Sequence, residues 1–188
     1  LVRMYMRTNP DTAKYLLDKY YKEGAEFYNP KNKIIHHQIK GYTYYFEAKF
    51  DSAVSQLEKS VKYAEASPFE DKEVLLPSLY NALGVMYQRW GYGVKAAEYT
   101  SKAIAIHNEN KNTKGAAVGY NNLSALYREQ KEFKRAIEAG KKAAAMHVQL
   151  KDTLQFAGSY NNIGLAFNDL HQRDSARFYF ELSLSFRD

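Results

Sequence analysis

The chain has no cysteine, which excludes disulfide cross-links, thiolate zinc sites and cysteine nucleophiles together. Its absence fits an oxidising or a reducing compartment, so cytoplasmic and periplasmic locations stay equally open. Proline and glycine are scarce, four and ten in 188 residues, while 45% of the chain is hydrophobic, a balance foreign to collagen-like or disordered chains. No run approaches the roughly 18 apolar residues of a membrane span, so no membrane contact is expected. The formal charge of +6 is spread along the chain instead of forming one basic block, a pattern of solvated surface more than of a nucleic-acid footprint. No nucleophile elbow, phosphate loop or acid–base carboxylate pair appears. Position 1 is Leu and no signal segment follows, so the chain reads as part of a longer one.

What the chain does have is repetition. Tyr80-Asn81-Ala82-Leu83-Gly84, Tyr120-Asn121-Asn122-Leu123-Ser124 and Tyr160-Asn161-Asn162-Ile163-Gly164 recur forty residues apart. The same spacing relates Tyr87, Tyr127 and Phe167, then Ala96, Ala136 and Ala176, then Ala103, Ala143 and Ser183. A fixed period in the range of about 20–50 residues marks stacked units, each too small to bury its own apolar face. Seventeen tyrosines and ten phenylalanines are numerous for this length, and the register places many of them between helices.

Each unit reads as two amphipathic helices. Leu123, Leu126 and Tyr127 recur at helical spacing, as do Phe133, Ala136, Ile137, Gly140, Ala143 and Ala144, and the fully polar Glu129-Gln130-Lys131-Glu132 separates the two sets. The matching turns are Asp169 to Arg173 and Trp90-Gly91-Tyr92-Gly93, where two glycines are expected to permit the reversal. Asp11-Thr12-Ala13, Asp51-Ser52-Ala53 and Asp174-Ser175-Ala176 open second helices, with the Asp expected to cap an orphan N–H and complement the dipole. His107, His147 and Arg187 form a cationic set near the second helix's C-terminus. The register gives units at about 1–29 (truncated), 30–69, 70–111, 112–151 and 152–188, forming one elongated all-α domain. Between the second and third the step grows to forty-three, with the surplus near Ser67-Pro68. Phe178, Tyr179, Phe180, Leu182, Leu184 and Phe186 crowd the last helix, whose surface is expected to meet a further element or, through the terminal helices, a second copy of the chain.

This pattern of Leu-Gly, then Tyr, then three Ala or aromatic positions resembles the tetratricopeptide repeat over essentially the whole chain. The departures are Lys40 before Gly41, Ser124 for Gly, Thr100 and Gly140 for a large apolar residue, and a missing inter-unit proline. The forty-residue period resembles the long-helix variety found in kinesin light chains, spindle-orienting adaptors and Rap-type peptide receptors. The resemblance implies a right-handed superhelical solenoid of antiparallel helix pairs whose first helices line a concave groove.

At about 100° per residue, Leu123 and Tyr127 share one side of their helix, while Val118, Asn122, Ala125 and Glu129 share the other. Equivalent positions are Ser78, Ala82, Val85 and Arg89, then Gly158, Asn162, Leu165 and Asp169. An Asn amide offers donors and an acceptor together, so it can pair with a peptide backbone. The resemblance carries that role most directly to Asn122 and Asn162; Asn81, Asn121 and Asn161 sit at the edge, where bracing of neighbouring helices is the stronger reading. Ile35, Ile39, Tyr42 and Phe46, with Tyr45 beside them, form an apolar strip able to seat a partner's side chain. Arg89 and Arg128 offer a carboxylate clamp, although the chaperone-binding carboxylate set of the family has no counterpart here.

Other chemistry recedes. Gly91-Tyr92-Gly93-Val94-Lys95-Ala96 matches a dinucleotide fingerprint but follows a helix where a strand is needed. His36 and His37 splay apart on a helix and lack further ligands, so no metal and no cofactor are expected. Asn122-Leu123-Ser124 matches a glycosylation sequon by chance, since Leu123 and Ser124 face the helix pair. The expectation is a non-enzymatic module binding a protein or extended peptide, with no nucleic acid, as the sensor or interaction region of a bacterial signalling protein. The alternatives are a Rap-type controller of response regulators, which would need a separate N-terminal bundle, and a structural scaffold filled by its own chain or a second copy.

Overall fold

A computed structural model describes residues 8–22, 30–68 and 72–186, and these are helical with short turns and no strand. The chain forms two compact units, Leu1–Tyr92 and Gly93–Asp188. In the first lie α1 (Pro10–Lys22), α2 (Pro30–Phe46), α3 (Phe50–Ala66) and α4 (Lys72–Arg89); in the second lie α5 (Gly93–Glu109), α6 (Thr113–Glu129), α7 (Phe133–Gln149), α8 (Thr153–Asp169) and α9 (Arg173–Leu184). The surplus of three residues between the second and third repeats falls after α3, where Ser67 and Pro68 are non-helical.

A twenty-residue beat underlies the forty-residue period. Helices α5 to α8 are each 17 residues long and are separated by three-residue turns. In every such turn the middle residue has a left-handed backbone: Gly91 (φ 89°), Lys111 (φ 54°), Lys131 (φ 62°), Lys151 (φ 54°) and His171 (φ 59°), with Ala48 (φ 58°) doing the same after α2. After α6, Lys131 N–H donates to Arg128 C=O at 2.9 Å and Glu132 N–H to Tyr127 C=O at 2.8 Å. This is the double-bonded C-terminal stop of an α-helix, in which one left-handed residue lets two backbone amides return to carbonyls the helix has left unsatisfied. The turn after α4 needs one special glycine, not two: Gly91 occupies the left-handed position, whereas Gly93 is already the first residue of α5.

The acidic residues that open second helices act through the dipole and not as caps. Asp51 and Asp174 lie in the first turns of α3 and α9, whose N-cap residues, Lys49 and Gln172, make no side-chain cap bond. Before α1, Thr12 N–H donates to Asn9 Oδ1 at 3.1 Å, and Asp11 pairs with Lys14 at 2.8 Å. Side-chain caps also open the first helices α6 and α8, where Asn112 accepts from Gly115 N–H at 2.9 Å and Asp152 from Gln155 N–H at 3.2 Å.

The periodic residues are the packed ones. Ala13, Ala53, Ala96 and Ala136 are 0% exposed and Ala176 3%, so each second helix approaches its neighbours through a methyl group. The departures from the repeat pattern explain one another through size. A Cβ on Gly41 would lie 3.0 Å from Leu57 Cγ, and one on Gly164 would lie 2.7 Å from Phe180, so a glycine on the first helix admits a large residue on the second. In the fourth repeat the sizes are reversed. Ser124 stands where the others have glycine and donates its hydroxyl to Ala136 C=O at 2.8 Å, and the facing position is Gly140, whose missing side chain leaves room for buried Ile163. Lys40, in place of an apolar residue, is half-buried and pairs with Asp18 at 3.5 Å. Ser60 and Ser183 donate to Ile34 and Ala157 carbonyls at 2.8 Å, tying second helices to first ones.

Two assignments are revised by burial. Tyr87 is 2% exposed and its hydroxyl donates to Glu58 at 2.6 Å, but Tyr127, its counterpart, is half-buried under the Arg135 guanidinium, which donates to its hydroxyl at 2.7 Å. The histidines at the ends of α5 and α7 are not cationic caps, because burial pushes both His107 and His147 below the ordinary imidazole value and leaves them neutral near pH 7. Arg187, the third member of that set, lies outside the described residues.

Candidate functional site: the free faces of the first helices

In the first unit, α2 and α4 form a recess of about 380 Å³ lined by Tyr42, Tyr45, Ser78, Asn81 and Val85 together with the buried Ala82 and Met86. Val85 is 44% exposed and Phe46 43%, so large apolar surface faces solvent there. The Tyr45 and Phe46 rings stand edge to face 5.6 Å apart, which fixes Phe46 beside the recess. Asn81 contributes the polar element, since its Oδ1 is buried without a hydrogen-bond partner. Of the apolar strip expected from the sequence, Tyr42 and Tyr45 line the recess together with Ser78, Ala82 and Val85, whereas Ile39 is buried in the core because its side chain packs inside the unit; Met86 is an additional lining residue. Arg89 is exposed at the end of α4, outside this recess.

In the second unit the equivalent face is mixed, with Ala125 and Leu165 where the first unit has Tyr42 and Val85. Asn122 is exposed on α6 and Asn162 half-buried on α8. Where those helices end, a second recess of about 490 Å³ is lined by Arg128, Glu129, Lys131, Asn168, Asp169 and Arg173 among others. Arg128 is not a free clamp, because its Nε lies 3.8 Å from Asp169 Oδ2. Asn121 behaves as a brace: its amide nitrogen sits 3.4 Å from Nε2 of buried His147, while its own oxygen is buried without a partner. The contact joins α6 to α7 through a single pairing, and Nδ1 of His147 is likewise buried without a partner. Asn161 is half-buried at the corresponding place in the fifth repeat. Ser124 of the apparent sequon is buried and already bonded, which agrees with a structural role.

The histidine pair of α2 is packed into the unit. The His36 and His37 rings are 5.2 Å apart at 89°; His37 stacks on Tyr63 at 5.4 Å and its Nδ1 meets Gln56 Oε1 at 2.8 Å. Burial pushes His36 down to about 4. Among the described residues no three histidine, aspartate or glutamate side chains gather as a metal-holding group, and no helix is long and apolar enough to cross a membrane.

Residues 117–150 match the family model described as tetratricopeptide repeat. No curated protein is significantly similar in sequence. Among solved structures, BtubC (BKLC) from P. vanneervenii is 23% identical with a TM-score of 0.77, the match covering 96% of this chain and 74% of that one. A Podosopora anserina structure of nearly identical TPR-like repeats, assigned to a kinesin light chain, is 15% identical with a TM-score of 0.81 over 99% and 91% of the two chains. The apo form of RapI is 16% identical with a TM-score of 0.82, and this chain spans 48% of its length. Residues 117–150 thus carry the tetratricopeptide pattern itself, and the chain has the all-α repeat fold of tetratricopeptide-like proteins.

Proposed function

We propose that the chain is a non-catalytic module that binds a segment of another protein on the free faces of its first helices, with a bulky apolar side chain of that segment seated between α2 and α4. The observation that carries this reading is the recess itself. Tyr42 and Tyr45 are half-buried and Val85 is exposed, and with buried Ala82 beneath them they leave an apolar hollow of about 380 Å³. Such a hollow gains by excluding water from a partner's apolar group. In the second unit Asn122 and Asn162 suit an extended backbone, which needs a donor and an acceptor together. The finer reading, the sensor or interaction region of a bacterial signalling protein, takes its support from the fold likeness to a signal transduction ATPase with a tetratricopeptide repeat sensor from Pyrococcus horikoshii, of which this chain spans 28%.

The test is selection of linear peptides from a random library against the chain, followed by calorimetric titration of the winners. Winners should share a bulky apolar residue, and Val85→Asp, a change at an exposed position, should weaken them by at least about tenfold with the melting temperature unmoved. Peptides that bind Val85→Asp as well as the parent chain would remove the recess from the reading. For the second unit, Asn122→Ala with Asn162→Ala should weaken binding without loss of stability; lost stability with retained binding makes both residues braces.

A further inference from the structure

The outer side of the second unit carries a feature that neither the repeat nor the proposed groove requires. Between α7 and α9, over α8, lies a recess of about 350 Å³ whose floor is Ala144, Phe156 and Tyr160 and whose walls include Val148 and Phe178, with Lys141 at one edge. Phe178 is 58% exposed and Val148 55%, both large apolar side chains turned toward water.

The repeat supplies an internal control. Forty residues earlier, Phe178 corresponds to Glu138, Leu182 to Lys142 and Val148 to Asn108, all polar and all exposed. The same helical framework is therefore built with a polar surface at these positions, and the apolar residues here are not a demand of the fold. An aromatic surface the fold does not need marks an interface.

The geometry points to a second copy of this chain as the occupant. We propose that two copies pair through the α7–α9 faces, the Phe178 ring of each entering the recess of the other. A two-fold interface has to be complementary to itself, and this patch holds both the projecting ring and the hollow that fits one. Its charges are also self-complementary: Lys141 lines the recess from α7, and exposed Glu181 lies three residues beyond Phe178 on α9. Glu181 already pairs with Arg177 at 2.7 Å, but those side chains are 62% and 80% exposed, and a solvated pair of this kind is easily exchanged.

Sedimentation equilibrium of the intact chain, from low micromolar to several hundred micromolar, tests the pairing. The parent should show a concentration-dependent dimer. Phe178→Glu installs the residue that the preceding repeat carries at this position, so it should keep the parent's helicity and melting temperature while raising the dimer dissociation constant by at least about tenfold. Lys141→Glu should weaken the dimer and Glu181→Lys in the same chain should restore it, a rescue independent of how Phe178→Glu folds. A parent that stays monomeric throughout, or charge reversal without effect and without rescue, overturns the proposal.

Discussion

The free faces of the first helices in the two units occupy the same repeat positions and differ in chemistry. Ile39 and Ala82, both buried in the first unit, stand where exposed Asn122 and half-buried Asn162 stand in the second, and Tyr45 and Gln88 correspond to Arg128 and Asn168. The first unit forms an apolar hollow and the second a polar recess held by the Arg128–Asp169 pair. Beneath both faces the small residues Ala53, Ala96 and Ala136 are equally and fully buried. Packing against a neighbouring helix holds these alanines to one size, whereas the inner positions of the first helices vary in burial as well as chemistry, from buried Ile39 and Ala82 to exposed Asn122, so binding chemistry diverges where the repeat fixes no size.

Replacing equivalent residues breaks this comparison most strongly in the core. Tyr87→Ala, which removes a fully buried ring and its bond to Glu58, should cost about 3–5 kcal/mol, while Tyr127→Ala should cost roughly half of that because the ring is only half-buried. Urea titration of both variants checks the ratio; equal losses would mean that the repeat position, not local burial, sets the energy.

Acid should weaken the first unit through His36. Its folded pKa of about 4 lies below the unfolded value of about 6.5, so the unfolded chain takes up the proton first. The stabilisation is complete above about pH 6.5 and is lost as pH falls toward 4, with a slope of at most about 1.4 kcal/mol per pH unit. His36→Gln should flatten the melting-temperature profile in that window more than His147→Gln in the second unit, where burial lowers the pKa without reaching that extent.

Gly140→Leu restores the large residue that the first unit carries as Leu57, yet it should cost about 1–3 kcal/mol, since a Cβ there already falls 2.6 Å from Ile163 Cγ1. Adding Ser124→Gly should recover part of the loss, and a double-mutant cycle reads the coupling; strict additivity would refute the size exchange between these two positions. The smallest effect is expected at the turns. Lys131→Gly gives the second unit the residue that the Gly91 turn already has and should stabilise by about 0.5 kcal/mol, measured as a rise in denaturation midpoint.

Much of the fold was legible because burial follows a period. Tyr-Asn-Asn at forty-residue spacing placed the helix pairs, and Ala96, Ala136 and Ala176 marked the contacts between helices. The turns were less legible: glycine marks a left-handed residue at Gly91, but Lys111, Lys131, Lys151 and His171 adopt the same backbone without that signal, because two returning amide bonds offset the strain. The candidate site was legible as a set of helix faces, and Tyr42, Ala82 and Val85 do line one hollow. Met86 in that hollow, the Asn121–His147 contact and the pairing of Arg128 with Asp169 depend on side chains from different helices and carry no mark in either segment alone.

By itself the sequence determined that this is a chain of paired helices repeating every forty residues, since a helix fixes direction by residue spacing and the apolar positions repeat with it. Only the tertiary structure decided which of those faces hold a cavity and which hold an ion pair, and which equivalent tyrosine is buried. Those outcomes depend on the distance and side-chain size across a helix–helix contact, quantities that a one-dimensional period does not contain.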